Sequence, residues 1–263
     1  MIEKYNADFG KTSKDYGTHR VGFPDRLFAR LAVMGIGLPG QAILDIGTGT
    51  GALARRFAGV GARVVGVDPS LQMLEQAALM ADDQGVKVAF QKGTGEDTGQ
   101  SDHIFDVVTA GQCWHWFDSM RALKEVSRIL KFNGRLVICH FDWLPTPGNV
   151  VEMTEQLILK YSPDWPMGGG SGMYPQWATD MATAGYSDIE SFSFDVMQLY
   201  SHDDWRGRIR ASAGVGGTLT AEAVQKFDKE LQSKLAQNYA DDPLQVPHRC
   251  WAVIASPPVH QIL

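Results

Sequence analysis

Residues 43–51 read I-L-D-I-G-T-G-T-G: an apolar run holding one aspartate, then glycine at every second place. With Ala42, the short run bounded by glycines reads as a buried strand. A glycine turn after it lets backbone N–H groups come close to a ligand. Residues 52–59 continue as a helix, and Ala52 completes a G-x-G-x-x-G/A spacing, which on its own is a weak signal. Strand, glycine turn and helix in that order open a βαβ unit.

The flanking sequence extends that unit. R-V-V-G-V (63–67), V-K-V-A-F (86–90), F-D-V-V-T-A (105–110) and L-V-I-C-H (136–140) read as four further strands. Pro69 marks a first helical turn, followed by a face of Leu71, Leu74, Ala77 and Ala78. Met120, Leu123, Val126, Ile129 and Leu130 form a second helical stripe, capped by Asp118 or Ser119 and stopped by Asn133-Gly134. Beyond residue 140, helices are expected at 149–161, 174–184, 202–212 and 221–238, and strands at 188–198 and 246–255. M-G-G-G-S-G (167–172) is either a flexible lid or a long connection. The expected fold is α/β: a doubly wound, mostly parallel seven-stranded sheet with helical cap insertions. One domain would span 1–263, with lid helices at 1–34, a core at 35–143 and insertions at 144–184 and 200–240. In such sheets ligands sit outside the carboxyl ends of the strands.

Composition narrows the partners. At 263 residues and 44% hydrophobic, the chain can bury a substantial core. Its net charge of −6 is spread over mixed signs, with no Lys/Arg-rich arm, which disfavours a nucleic-acid backbone. No apolar signal region opens the sequence and no run nears 18 apolar residues, so neither a membrane span nor secretion is expected. Cys113, Cys139 and Cys250 lack C-x-x-C spacing, which suits a reducing cytoplasm and argues against a disulfide framework or a structural metal.

Two aspartates sharpen the glycine turn. Asp45, two residues before Gly47, repels a pyrophosphate and attracts an ammonium; its alternative role is to cap the turn. Asp68 ends the second strand, where an acid accepts both hydroxyls of a ribose. S-adenosylmethionine has the ribose, the amino-acid ammonium and no phosphate.

On these residues the chain resembles the class I S-adenosylmethionine-dependent methyltransferases, of Rossmann-like fold. The resemblance rests on I-L-D-I-G-T-G-T-G, V-V-G-V-D-P-S (64–70), Q-K-G-T-G-E-D (91–97), F-D-V-V-T-A-G-Q (105–112) and R-I-L-K-F-N-G-R-L-V-I (128–138). It covers residues 5–140 well and the rest in layout only. It implies that Gly47, Thr48 and Gly49 line the methionine part and that Asp45 faces its ammonium. It further implies that Asp68 holds the ribose, Pro69 and Met73 line the ribose or adenine, and Gly95 and Glu96 flank the adenine edge. Thr94 stands where the family often has Asp, which puts an adenine amino contact there in doubt. Gln112 falls near the sulfonium. F-G-K-T-S-K-D-Y-G-T-H-R (9–20) is similar to the family's lid helix, where Tyr16 and Arg20 close over the carboxylate; for Arg20 a surface ion pair is the alternative. S-adenosylhomocysteine would be the product.

The acceptor is written less clearly. A base is needed only if the acceptor carries a proton at neutral pH. His115, inside G-Q-C-W-H-W-F (111–117), is the candidate; the alternative is a histidine bracing its loop. One of Trp114 and Trp116 would pack on the sheet and the other line the pocket, with Trp114 taken as a substrate contact together with His140. His140, Asp142 and Trp143 would stand near the site mouth, or else serve as packing or turn caps. Arg206 and Arg210, four apart in R-G-R-I-R, would grip an acidic acceptor or else form a solvated face. Methyltransferases that act on base amines carry Asp or Asn, Pro-Pro and an aromatic here, and this chain does not. H-W-F-D is instead similar to small-molecule members, including those esterifying carboxylic acids such as trans-aconitate. Transfer to oxygen of a small molecule is the leading expectation, with nitrogen or carbon as alternatives. A nicotinamide-dependent oxidoreductase and a non-catalytic cofactor-binding protein are the competing classes.

Overall fold

Seven strands form one sheet in the order β3-β2-β1-β4-β5-β7-β6. They are β1 Ala42–Ile46, β2 Arg63–Asp68, β3 Val88–Lys92, β4 Phe105–Gly111, β5 Leu130–Trp143, β6 Ser187–Tyr200 and β7 Leu244–Ser256. The computed structural model describes residues 21–258, so the lid segment with Tyr16 and Arg20 lies outside the described residues. β2 with β3, β1 with β2, β1 with β4 and β4 with β5 pair in parallel. Chain order reverses between β1 and β4, so their carboxyl ends open at the switch point where doubly wound sheets bind ligands.

The chain divides into two units. The sheet unit comprises Gly22–His140, Tyr174–Ser193 and residues 250–258. It contains α1 Asp25–Val33, α2 Ala52–Gly59, α3 Leu71–Asp83, α4 Ser119–Ile129 and the helix Pro175–Thr183. Leu44, Ile46, Val108 and Ala110 from the strands pack with Leu123, Val126 and Ile129 of α4 and with Trp177 and Met181 of Pro175–Thr183. That last helix, expected in a cap insertion, thus belongs to the sheet's own core.

The helical unit is built from Phe141–Met173 and Phe194–Arg249. Its helices are α5 Val150–Tyr161, α7 His202–Arg210 and α8 Ala221–Asn238, with α6 being Pro175–Thr183 of the sheet unit. They enclose Ile158, Trp205, Ile209, Phe227, Leu231 and Leu235. Gly207 does not break α7. Ser201 caps it by accepting the Asp204 N–H at 3.0 Å, and Trp205 and Ile209 bury its inner face. No helix among the described residues is long and apolar enough to cross a membrane.

Several local expectations shift. Ser70 caps α3, so Pro69 lies before the first turn and not in it, and Leu71 and Ala78 are exposed while Met73, Leu74, Ala77 and Ala81 are buried. β3 begins at Val88 because Val86 is spent closing α3: its N–H bonds Ala81 O at 3.0 Å after Gly85 turns at φ +65°. Asp118 caps α4 as expected, but Met120 faces solvent. Asn133-Gly134 does not stop that helix. Leu130 already has extended backbone (φ −71°, ψ 140°), and Lys131–Gly134 bulge out of β5 between the Phe105↔Leu130 and Val107↔Arg135 pairs. Lys131 Nζ meets Asp106 Oδ1 at 2.7 Å across the bulge.

Candidate functional site at the strand tips

The turn after β1 is held by hydrogen bonds from three directions. Gly47, Gly49 and Gly51 all have positive φ (+61°, +53° and +79°), which only glycine adopts cheaply. The Asp45 carboxylate accepts the Thr48 hydroxyl at 2.6 Å and the Thr109 hydroxyl at 2.7 Å, and also the Ala54 backbone N–H. Asp45 pairs in register with Thr109 across β1 and β4, so the strand ladder itself sets this contact. Burial pushes the Asp45 carboxyl up to about 6, against the hydrogen bonds from Thr48 and Thr109. The capping role is therefore realised in the fold, and Thr48 serves it too: its N–H bonds Val67 O at 3.0 Å.

Asp68 ties this turn to the next helix. Its Oδ2 accepts the Gly49 N–H and its Oδ1 the Ser70 N–H, each at 2.9 Å. Burial raises its pKa, opposed by those two bonds. Each oxygen, with two lone pairs, has taken one of these donors. Met73 is buried on α3, whereas Pro69 is exposed.

Phe117 connects the glycine turn to the Gly95 loop. A Cβ on Gly95 would lie 2.8 Å from the Phe117 ring, and one on Gly47 would lie 3.1 Å from it. The adjacent Glu96 Oε1 accepts the Asp118 N–H at 2.9 Å. Gln112 begins the loop after β4 with φ +57°, and its N–H bonds Cys139 O at 2.9 Å. Positive φ is uncommon for a glutamine and places a bent backbone at the strand tip.

The aromatic stretch forms a short 3-10 turn, Trp114–Trp116. Trp114 is 1% exposed and lies in the core, so it is not the pocket wall expected of it; Trp116 is the half-buried one. His115 is half-buried, with its ring 4.7 Å from Trp116 and 5.4 Å from His140. His140, expected at the site mouth, is 2% exposed because Tyr174 and Trp177, stacked at 4.1 Å, approach its ring at 4.5 and 4.9 Å. A direct substrate contact from His140 is thereby replaced by a position behind His115.

The sequence pattern of a family described as a methyltransferase domain matches residues 44–138, the stretch that carries these tips. The chain is a class I S-adenosylmethionine-dependent methyltransferase. It is 28% identical over 229 residues to an uncharacterized methyltransferase of Schizosaccharomyces pombe, covering 84% of this chain and 86% of that one. An uncharacterized methyltransferase of Mycobacterium tuberculosis is 38% identical over 135 residues, 50% of this chain and 51% of the relative. The match thus spans about half the length of that mycobacterial relative. A solved structure of a putative type II methyltransferase from Anaeromyxobacter dehalogenans superposes with TM-score 0.64 at 20% identity, over 92% of this chain and 99% of that one, a likeness of fold.

In this methyltransferase the two cap arginines have other work. Arg206 binds both oxygens of Asp228 and also reaches Asp203, and Arg210 Nη1 meets Asp228 Oδ1 at 2.8 Å. They face α8 as an ion-paired seam, which corrects the expectation that they grip an acceptor. Sequence reading also passed over Thr109, Cys113 and Phe117. Thr109 was signalled only by being the hydroxyl in an apolar strand. Cys113 packs on Gly47 and its thiol donates to Ile46 O at 3.2 Å. Gly47→Ala is accordingly costly: its Cβ would stand 2.7 Å from Cys113 Cβ at a φ of +61°. A loss of about 2–4 kcal/mol is expected in urea unfolding. An unchanged midpoint would show that the turn relaxes freely.

Proposed function

We propose that the methyltransferase binds S-adenosylmethionine at the tips of β1, β2 and β4 and passes its methyl group to oxygen of a small molecule. The observation that carries this reading is the Asp68 carboxylate. It is buried at a strand tip, holds one backbone N–H on each oxygen, and keeps acceptor capacity on both for a diol. A ribose donates twice to such a group. The positive-φ run at Gly47, Gly49 and Gly51 supplies a turn without side chains beside it.

In this reading Asp45 and Thr48 act through the turn they hold, while Gly47 and Gly49 meet the methionine part. Met73 and Pro69 line the ribose or adenine side, Gly95 and Glu96 its edge, and Gln112 the sulfonium end. When bound, the cofactor supplies an already activated methyl group, so the chain's task is alignment and exclusion of water. His115 takes the proton of a hydroxyl acceptor; a carboxylate acceptor gives it none to take. A small acceptor rather than a nucleic acid fits the net charge of −6, and a reducing compartment such as the cytoplasm suits three buried thiols.

Calorimetric titration with S-adenosylhomocysteine tests the cofactor site, and absence of binding up to about 1 mM would overturn it. His115→Gln is expected to keep that affinity and to lower turnover of a hydroxyl acceptor by at least about tenfold. Unchanged turnover would leave His115 a brace only.

A further inference from the structure

One ring lies against both glycine segments of the proposed cofactor site. The Phe117 Cζ is 3.1 Å from where a Cβ on Gly47 would stand and 2.9 Å from where one on Gly95 would stand. At those distances the ring fills the space that a side chain would need at either position. Gly47 has a second reason to be glycine in its φ of +61°. Gly95 does not adopt positive φ, and the three atoms nearest a Cβ there all belong to Phe117, at 2.8–2.9 Å. The approach of that ring is therefore what excludes a side chain at Gly95.

The ring is fixed from behind. Trp114, 1% exposed, meets it edge-on with ring centres 5.7 Å apart, and Phe117 packs against the sheet core. The Phe117 N–H bonds Trp114 O at 3.1 Å, which closes the 3-10 turn. The next N–H, from Asp118, bonds Glu96 Oε1 at 2.9 Å, beside Gly95. At the start of the turn Cys113 packs on Gly47 and donates its thiol to Ile46 O at 3.2 Å. The Gly95 loop is closed by the Thr94 N–H on Asp97 O at 3.0 Å, and the Gly93 N–H reaches Asp68 O at 3.3 Å. Residues 113–118 thus meet the glycine turn at one end and the Gly95 loop at the other, and the Phe117 ring spans the two. All of these residues belong to the sheet unit.

We propose that Phe117 is a positioning residue that holds the Gly47 turn and the Gly95 loop at the separation the cofactor spans. The proposal rests on the reading above, in which Gly47 meets the methionine part and Gly95 the adenine edge. Phe117 acts through these two backbone segments and not on the reacting atoms. When the two are fixed before binding, a ligand held at one end meets the other without further ordering of the protein. Removing the ring leaves each segment in place but lets them move separately. The loss then falls on a ligand long enough to use both.

The test is calorimetric titration of the full-length protein with S-adenosylhomocysteine and with adenosine, which lacks the amino-acid end. Phe117→Ala should weaken S-adenosylhomocysteine at least about tenfold and adenosine less than about threefold. A loss that came only from a loosened fold would weaken both alike. Gly95→Ala, which drives a methyl group into the ring, should also weaken S-adenosylhomocysteine at least about tenfold. Added to Phe117→Ala it should cost less than about twofold more, because the methyl then meets no ring. Phe117→Leu keeps apolar bulk on the core and gives the same comparison at a urea midpoint close to that of the wild type. Wild-type affinity in both Phe117 variants, equal losses for the two ligands, or additive losses in the double variant would each overturn the bridge. Absence of S-adenosylhomocysteine binding by the wild type would overturn the cofactor reading and the bridge with it, whereas wild-type binding with any of those three results overturns the bridge alone.

Discussion

Asp68→Ala is expected to raise the dissociation constant for S-adenosylhomocysteine by at least about a hundredfold. Two effects combine. The substitution strips the acceptor from the Gly49 and Ser70 N–H groups, so the glycine turn and the start of α3 each lose a charge-assisted bond. Each such loss is worth about 1–3 kcal/mol where the donor is left buried. The proposed ribose contacts vanish with the same carboxylate, at about 1.5–3 kcal/mol for a bond to a charged group. Fold stability should fall less than affinity, because deleting a buried acid also relieves its desolvation, the largest influence raising its pKa. Asp68→Asn keeps one acceptor oxygen but turns an amide N–H₂ toward a backbone N–H, so its affinity should lie between the two. Calorimetry gives the affinities and urea unfolding the stabilities. An alanine variant that binds within threefold of wild type would remove Asp68 from the cofactor site.

What was legible in the sequence follows from where physical constraints are local. Short apolar strands ending in acid and glycine announce themselves, because a buried parallel strand admits few other residues and its tip few other turns. Asp45 and Asp68 could thus be placed at strand ends, and the five strands through residue 140 follow in order. The partner of Asp45 is Thr109, 64 positions away, and it becomes visible only once β1 and β4 are in register. Asn133-Gly134 misled because the pair is a good helix stop in isolation, whereas Leu130 already pairs with Phe105 three residues earlier. In R-G-R-I-R the i, i+4 arginines drew attention as a pair, yet a helix has two faces. The spacing does not say which one meets Asp228 on α8 and which one enters the interior with Arg208. Trp114 and Trp116 posed the same problem over a 3-10 turn.

Acidification should move the stabilities of the two units in opposite directions. In the sheet unit, burial holds the Asp45 carboxyl at about 6 when folded, against 3.8 for an ordinary aspartate. A raised pKa means that the folded state binds the proton more tightly. Its stabilising effect is complete below about pH 4 and is lost as pH rises through 6. Going from pH 7 down to 4.5, the sheet unit gains about 2 kcal/mol from this residue, and Asp68, also raised by burial, adds in the same sense. In the helical unit, burial holds His248 at about 4 against 6.5, with its Nδ1 3.0 Å from Val246 O. Here the folded state resists protonation, so stability is complete above pH 6.5 and is lost as pH falls through 4. Over the same interval the helical unit loses about 2 kcal/mol. Glu155, raised by burial, offsets part of that loss. Stopping at pH 4.5 keeps Asp106 and Glu125, both lowered, largely ionised in the folded sheet unit. Native-state hydrogen exchange resolves the units: amides of β1 should become better protected on acidification, and those of α5 and α8 less protected. Asp45→Asn should flatten the first response and His248→Asn the second. Loss of protection in β1 on acidification, or an unaltered α8 response in the His248 variant, would contradict the burial-driven shifts from which both follow.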